Sequence, residues 1–258
     1  MTASIGLLII GDEILSGKRQ DKHFARVREI LTERGLKLAR VTYLGDDRTR
    51  LTAFLRDSLA DEDILFSCGG IGATPDDHTR QAAAAALGLP LLLHPEAEAL
   101  ITGRTLEVGL EVTPGRLQMG EFPEGAAIIP NPVNRIPGFS IRRHHFVPGF
   151  PEMAWPMIEW VLDQHYRDLF HSQVEAERAM IVRGLAEATL TPLMLEIERD
   201  YPGVKVFSLP ILNLRQPDDY RIELGVKGPP DAIDPAFVRL RDGTAALGGR
   251  IEATADRD

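Results

Sequence analysis

The fold of this chain is decided by a glycine-rich stretch, Ser67-Cys68-Gly69-Gly70-Ile71-Gly72-Ala73-Thr74-Pro75-Asp76-Asp77-His78-Thr79. It follows a predicted strand over 63–68 and precedes a predicted helix over 80–87. In open α/β sheets, ligands bind beyond the carboxyl ends of the strands, where such loops lie. Three glycines within four residues let backbone N–H groups approach a phosphate, and the positive end of the next helix points there too. The stretch therefore predicts a phosphate-binding loop, and tight turns without a ligand are the alternative.

Two consecutive carboxylates, Asp76 and Asp77, lie in the same loop. Either of them could cap the alanine-rich helix that follows. Beside a bound phosphate, two carboxylates would repel the ligand unless a cation lay between them. Magnesium commonly binds through one or two carboxylates together with substrate phosphates. The pair favours a metal-assisted phosphate site, with helix capping as the alternative.

Two further predicted strands end in acidic residues. The strand over 4–10 is followed by Gly11-Asp12-Glu13, and the strand over 37–44 by Gly45-Asp46-Asp47. In a parallel sheet the carboxyl ends of the strands meet at one edge, so we expect these residues to share a rim with the glycine-rich loop. Asp47 could instead cap the helix that is predicted to begin at Arg48.

Strands and helices alternate along the first 100 residues, with further helices predicted from Phe24 to Gly35 and over 48–59. The alternation predicts an α/β domain with a mostly parallel sheet and helices on both faces. Residues 114–156 hold eight of the 18 prolines and five of the 23 glycines, so short strands at 126–129 and 145–147 are expected there. A helix is predicted over 151–170.

The pattern of strands and helices restarts near residue 170. We therefore predict two domains, 1–170 and 171–258, the second a small α+β domain with the element order β-α-β-β-α.

Composition excludes several classes of protein. The chain has 258 residues and a net charge of −9, and it lacks the basic excess that nucleic-acid binding needs. Its longest apolar run, Ala82–Leu93, is shorter than the ~20 residues of a membrane span. A single cysteine, Cys68, excludes an internal disulfide framework. No signal peptide is predicted, and a reducing cytoplasm is the expected location.

Several segments together resemble one family. They are Ile10-Gly11-Asp12-Glu13-Ile14-Leu15-Ser16-Gly17, Gly69–Thr79, Pro123-Glu124-Gly125-Ala126, Asn131-Pro132 and Pro148-Gly149-Phe150-Pro151-Glu152-Met153. In this order they are similar to the molybdopterin-binding (MoaB/Mog-like) domain, in particular to its CinA-like branch and to the corresponding domain of FAD synthases. The resemblance covers about 4–165, and 171–258 more weakly resembles the second domain of CinA-like proteins. It implies a three-layer α/β/α sandwich that assembles as a dimer or trimer.

The resemblance implies one of two activities. The first is a pyrophosphatase that uses a divalent cation (magnesium, manganese or cobalt) to cleave ADP-ribose or a related ADP-containing compound, such as FAD or a molecule like coenzyme A. The alternative is a protein of molybdenum cofactor biosynthesis that binds or adenylylates molybdopterin. A third hypothesis is a nucleotide-binding protein without catalysis. In every case the predicted partner is a small nucleotide or pterin phosphate.

The site residues follow from the matched segments. Asp47 and Asp77 resemble the family's usual site carboxylates, and Glu13, from the opening segment, is the candidate general base. A cation would be held by Asp76, Asp77 and Asp47. The residues expected to bind substrate are Gly69, Gly70, Gly72, Ala73, Thr74, Thr79, Gly11, Asp12, Pro148 and Gly149.

Two segments depart from the family pattern. The usual Asp-x-Asn is Asp21-Lys22-His23 here, which puts a histidine where the family has an asparagine. His23 could bind metal or act as a base, or it could be a helix-start residue without a role. The usual Gly-Thr-Ala-Pro-Gly is Asn134-Arg135-Ile136-Pro137-Gly138, which changes one wall of the predicted pocket.

Three other features are expected to be structural. His144 and His145 are adjacent, so in a strand they face opposite sides and do not share a metal. Cys68 is expected to be a small buried residue, and Trp155 and Trp160 to lie in the core or in an interface.

Overall fold

A computed structural model describes residues 4–61, 63–172, 175–211 and 220–255. The chain divides into two compact units, Met1–Ser172 and Gln173–Asp258, which are described separately.

The first unit contains eight strands and seven α-helices within its described residues. The strands are β1 (Ile5–Ile10), β2 (Arg40–Leu44), β3 (Ile64–Cys68), β4 (Leu91–Leu93), β5 (Glu121–Pro123), β6 (Ala127–Ile129), β7 (Gly138–Ile141) and β8 (His144–Val147). The helices are α1 (Asp12–Leu15), α2 (His23–Thr32), α3 (Arg48–Leu59), α4 (Thr79–Leu87), α5 (Pro95–Glu107), α6 (Pro114–Leu117) and α7 (Pro151–His165).

The central sheet has six strands in the order β2-β1-β3-β8-β7-β6. Strands β2, β1, β3 and β8 are parallel to one another, and β7 and β6 continue the sheet antiparallel. Strands β4 and β5 form a separate antiparallel pair. The predicted mostly parallel sheet is confirmed.

Both faces of this sheet are buried. Along β1, Ile5, Leu7 and Ile9 pack with residues of α2 and α7, whereas Leu8 and Ile10 pack with residues of α3, α4 and α5. Successive side chains of a strand point to opposite faces, so one continuous apolar strand supplies two cores. The result is the expected three-layer α/β/α sandwich.

Local patterns predicted some elements better than others. The predicted helix over 48–59 has the observed bounds of α3, because its apolar residues recur at helical spacing and Asp47 caps it. The strand predicted over 37–44 begins only at Arg40. The helix predicted over 151–170 ends at His165, since Tyr166 leaves helical geometry and a 3-10 turn, Arg167–Leu169, follows. The sequence patterns missed three helices and three strands of the first unit, namely α1, α5, α6, β4, β5 and β7.

The second unit has an antiparallel sheet in the order β10-β11-β9-β12. Its elements are β9 (Ala176–Arg183), α8 (Glu187–Asp200), β10 (Lys205–Ile211), β11 (Arg221–Gly228), α9 (Pro230–Ala246) and β12 (Arg250–Ala255). Apolar residues of the sheet, such as Met180 and Leu224, pack against α8 and α9 through Leu190 and Phe237. The last strand, β12, extends the predicted β-α-β-β-α order by one element.

Among the described residues, none of the helices combines the length and apolar character needed to cross a bilayer.

Candidate functional site

The carboxyl ends of four parallel strands meet at one edge of the first unit. The amide of Gly11, after β1, donates to the carbonyl of Leu44 at the end of β2 (3.1 Å). The amide of Gly69, after β3, donates to the carbonyl of Val147 at the end of β8 (3.0 Å). The rim predicted for the acidic segments and the glycine-rich loop is therefore present.

The carbonyl groups of the glycine-rich loop, residues 69–78, are held by the first turn of α4. The Thr79 hydroxyl donates to the carbonyl of Gly69 (3.0 Å), and the Thr79 amide donates to that of Gly70 (3.0 Å). The Arg80 guanidinium donates to the carbonyl of Gly72 (2.6 Å). In a trans peptide the N–H of the next residue points opposite to the carbonyl, so these bonds turn the following amides away from α4.

Four amides of the loop are consequently free to bind a ligand. In the described part of the chain, the N–H groups of Gly70, Ile71, Gly72 and Ala73 donate to no protein acceptor. Successive backbone N–H groups of this kind form an anion-binding concavity. The Gly69 amide donates to the carbonyl of Val147, and the Thr74 amide donates to Asp77 (2.8 Å). Gly69 and Thr74, which the sequence analysis placed among the ligand-binding residues, therefore have no free amide.

Two glycines of the loop are required by close contacts. Gly70 has φ +70°, and a Cβ at this position would overlap the Thr79 hydroxyl. A Cβ at Gly72 would lie 2.6 Å from Oδ2 of Asp77. Side chains at these positions would therefore displace the residues that shape the loop.

The loop forms one side of a cavity of about 370 Å³, which we call the amide cavity. Its walls are mainly apolar, and Thr74, Asp77 and Asn134 are its polar side chains. The lining residues are Gly70, Ile71, Gly72, Ala73, Thr74, Asp77, Met119, Asn134, Ile136, Pro137, Pro148, Gly149, Phe150 and Met153. Pro148 and Gly149 thus lie where the sequence predicted substrate contacts, and the divergent segment Asn134–Pro137 forms part of the wall.

A second cavity of about 340 Å³, the charged cavity, adjoins the first. The two share Gly149 and Phe150. The charged cavity is lined by Ile9, Ile10, Glu13, Ile14, Arg19, Gln20, Lys22, His23, Cys68, Gly149, Phe150, Pro151 and Glu152. Its polar groups include side chains of both charges, whereas the amide cavity presents free backbone N–H groups.

The three predicted catalytic carboxylates do not line the same cavity. Glu13 lines the charged cavity, and Asp77 lines the amide cavity. Asp47 lines neither of these two cavities; its Oδ1 accepts from the Arg50 amide (2.9 Å) and caps α3. Asp47 therefore makes the helix-capping contact that the sequence analysis gave as the alternative to a role in the site.

The remaining acidic residues of the rim also have structural contacts. The Asp12 amide donates to Asp46 (2.9 Å), and the Asp46 amide donates to Asp12 (3.3 Å), which ties the ends of β1 and β2 together. Partial burial raises the pKa of Asp46, and the negative charges of Asp12, Glu13 and Asp76 raise it further. Asp46 is the carboxylate of this rim that the sequence analysis did not select.

The described residues contain no group of three His, Cys, Asp or Glu side chains that could hold a metal ion. Asp77 uses Oδ2 to accept from the amide and the hydroxyl of Thr74, the latter at 2.5 Å. Its Oδ1 carries no hydrogen bond within the described chain. A single carboxylate beside a phosphate site suits a cation that is held jointly with the ligand's phosphates.

His23 links α2 to the turn between the two cavities. Its Nε2 lies 3.1 Å from the carbonyl of Gly149, which can only accept, so Nε2 carries the proton. Nδ1 is buried and has no hydrogen-bond partner among the residues that the structure describes. Burial lowers the pKa of the ring, although the negative charges of Asp21 and Glu152 act to raise it. His23 is thus a neutral residue that positions Gly149.

Arg80 is another charged residue that the sequence analysis did not select. It is fully buried at the start of α4, and its guanidinium donates to the backbone carbonyls of Gly72 and Gln118. Burial lowers its pKa, whereas Glu121 and Asp77 raise it. The guanidinium of Arg80 therefore connects the glycine-rich loop, at Gly72, to the segment that carries Gln118 and Met119.

The other singled-out residues lie away from the two cavities or inside the core. His144 bonds Ser58 and His145 bonds Tyr166, on opposite sides of β8, as their adjacency predicted. Burial lowers the pKa of His144 to about 4 and that of His145 to about 3. Cys68 is buried, which raises the pKa of its thiol, and Trp155 and Trp160 pack against the core.

Comparison with known proteins places this geometry in a family context. Residues 6–167 match the family model described as the probable molybdopterin binding domain. A protein of Caldivirga maquilingensis is 33% identical over 203 residues, which are 77% of this chain and 77% of that protein. A CinA-like protein of Geobacter metallireducens is 32% identical over 205 residues, which are 78% of this chain but only 50% of that protein. The chain thus spans about half the length of this CinA-like relative.

A solved structure has the same architecture. The crystal structure titled protein CinA with unknown function, from Thermoplasma acidophilum, is 27% identical and has a TM-score of 0.56. The similarity covers 63% of this chain and 97% of that one.

Proposed function

We propose a function from one premise: the chain belongs to the family described as the probable molybdopterin binding domain. The proposed function is the binding of a phosphorylated pterin such as molybdopterin, as part of molybdenum cofactor biosynthesis. The amide cavity is the proposed site, with the phosphate at Gly70–Ala73 and the remainder of the ligand against the apolar walls.

The observation that carries this proposal is the set of four free amides beside apolar walls. An acidic chain with a net charge of −9 attracts few anions through its overall field. Free N–H groups bind a phosphate locally, because their dipoles are fixed before the ligand arrives. The volume of the cavity is within the ~300–1,000 Å³ typical of small-molecule sites.

The test is a calorimetric titration of the full chain with molybdopterin and with the same pterin after removal of its phosphate. Gly72→Ala places a methyl group 2.6 Å from the Asp77 carboxylate without a strained φ, so we expect it to lose affinity for the phosphorylated pterin by about tenfold or more. Gly115→Ala, which meets nothing within 4 Å, is the matched control and should bind like the unmodified protein. Equal affinity for the two pterins, or undiminished binding by Gly72→Ala, would contradict the proposal.

A second candidate function, a metal-dependent pyrophosphatase, is favoured by the position of Asp77. Its carboxylate lies beside the free amides with Oδ1 unbonded, where it would hold a divalent cation jointly with a pyrophosphate. A bound cation would neutralise developing charge on the phosphates. In this proposal Glu13 takes a proton from water, and the ligand extends past Gly149 into the charged cavity.

Hydrolysis of ADP-ribose, FAD and coenzyme A in the presence of magnesium, manganese or cobalt tests this second function. Asp77→Asn retains an oxygen that can accept from Thr74, so the fold should persist while metal-stimulated hydrolysis is lost. Glu13→Gln should lower turnover without changing nucleotide affinity. Full activity of Asp77→Asn would rule out the proposed cation site. Nucleotide binding without turnover under any of the three cations would instead favour a non-catalytic nucleotide-binding protein.

A further inference from the structure

Phe150 is the most exposed phenylalanine in the described part of the first unit. Its side chain is 55% exposed, whereas Phe66, Phe122, Phe139 and Phe146 are fully buried. It lines both the amide cavity and the charged cavity. An exposed phenyl ring at the boundary of two cavities leaves apolar surface where a ligand would cover it.

The backbone that carries this ring is held in place. The carbonyl of Phe150 accepts from the amides of Met153 (3.0 Å) and Ala154 (2.9 Å) in the first turn of α7. The preceding carbonyl, of Gly149, is bound by His23. A Cβ on Gly149 would lie 3.3 Å from the Cα of Gly69, so this turn packs directly against the glycine-rich loop. The ring therefore starts from a fixed point next to the free amides.

The walls around Phe150 suit a flat apolar group. Ile136, Pro137, Met119 and Met153 line the amide cavity together with it, and these side chains offer no charge. The anion-binding amides lie at the glycine-rich loop of the same cavity. A ligand that matches both features carries a phosphate and a planar ring.

We propose that Phe150 is a stacking platform for the planar heterocycle of a phosphorylated ligand. The proposal rests on the proposed function, because it takes the phosphate to lie at Gly70–Ala73. Aromatic stacking accepts any heterocycle with a π-face, whether a pterin, a flavin or a purine, so Phe150 contributes affinity for the ring class. Discrimination among these rings then falls to other groups of the wall.

The experiment compares a ring-bearing phosphate with a ringless one on the full chain. Flavin mononucleotide is the first probe and ribose 5-phosphate is the second, and calorimetric titration measures the affinity for each. We expect Phe150→Ala to bind flavin mononucleotide about tenfold more weakly, the loss typical of one stacked base, and to bind ribose 5-phosphate unchanged. Phe150→Trp should retain the affinity for flavin mononucleotide.

Phe24→Ala is the matched control, because Phe24 is also exposed (41%) but lines neither cavity. It should bind both probes like the unmodified protein. The stacking platform would be overturned if Phe150→Leu bound flavin mononucleotide with full affinity. It would also be overturned if the unmodified protein did not bind flavin mononucleotide. An equal loss of both probes in Phe150→Ala, together with a changed sedimentation coefficient, would assign the ring to a contact between copies of the chain and would also overturn it.

The same data separate this proposal from the proposed function. If Phe150→Ala lowers the affinity for flavin mononucleotide but Gly72→Ala leaves it unchanged, the stacking platform is supported and the proposed phosphate site is wrong. If the unmodified protein binds ribose 5-phosphate through Gly72 but Phe150→Ala leaves flavin affinity unchanged, the phosphate site stands and the platform is wrong.

Discussion

The amide cavity and the charged cavity share Gly149 and Phe150, yet they are built on opposite principles. The amide cavity presents backbone N–H groups that are oriented by Thr79 and Arg80 from behind. The charged cavity presents side chains, among them Glu13, Arg19, Lys22 and Glu152. The difference teaches that an acidic protein can present free N–H groups in a cavity whose lining has no cationic side chain, because peptide dipoles do not appear in the net charge.

The comparison also explains the acidic residues of the rim. Asp47 caps a helix, and Asp12 and Asp46 join two strand ends. Carboxylates serve these purposes well, because they accept hydrogen bonds from free backbone amides. Only Asp77 of the proposed cation ligands lines the amide cavity.

The largest effect is expected from Arg80, on which the amide cavity depends. Arg80→Met preserves the bulk of the side chain but leaves the partly buried carbonyls of Gly72 and Gln118 without the donors that Arg80 supplies. Each such loss costs about 1–3 kcal/mol, so we expect the free energy of unfolding to fall by roughly 3 kcal/mol and phosphate binding to be lost with it.

Chemical denaturation of Arg80→Met and Arg142→Met measures this effect. Arg142 also donates to a backbone carbonyl, that of Leu59 (3.0 Å), but from an exposed position. Its replacement should cost less than about 1 kcal/mol, since water can take over the bond. Similar losses in the two variants would mean that Arg80 does not brace the loop.

A smaller effect is expected at Asp47, which lines neither cavity. Asp47→Ala removes the cap of α3 and should lower the free energy of unfolding by about 1 kcal/mol, whereas Asp47→Asn keeps a capping oxygen and should cost little. Thermal denaturation compares the two variants. If Asp47→Asn unfolds as readily as Asp47→Ala, the negative charge matters more than the cap.

The smallest expected effect concerns His23 in the charged cavity. Burial lowers its pKa in the folded state below the unfolded value of 6.5, so the unfolded chain binds its proton more readily. The contribution of the neutral ring to the free energy of unfolding is fully present above pH 6.5. It is lost as the pH falls toward the pKa of His23 in the folded state. His144 and His145 contribute in the same direction, since burial lowers their folded pKa values to about 4 and about 3.

The difference between the unmodified protein and His23→Asn isolates the contribution of His23. Urea titrations between pH 7.5 and 5 should show that the variant loses less of its free energy of unfolding on acidification. Parallel curves for the two proteins over this range would show that His23 is not held neutral by burial.

Local sequence patterns were sufficient where an element is made by neighbours in the chain. The apolar run 4–10 and the helical spacing of Leu51, Leu55 and Leu59 predicted β1 and α3 because their burial follows from simple periodicities. The patterns failed for α5, whose apolar positions are interrupted by Gly103, and for β12. The rim itself was predictable, since parallel strands must end on one side.

The sequence by itself determined the three-layer α/β/α sandwich, the family and the glycine-rich loop at the strand ends. Only the tertiary structure decided which amides of that loop are free, because their orientation depends on Thr79 and Arg80 binding its carbonyls. Only the tertiary structure separated Glu13 from Asp77, because Gly149 packs against Gly69 from 80 positions away along the chain. Such contacts arise from packing between distant segments, and no local periodicity records them.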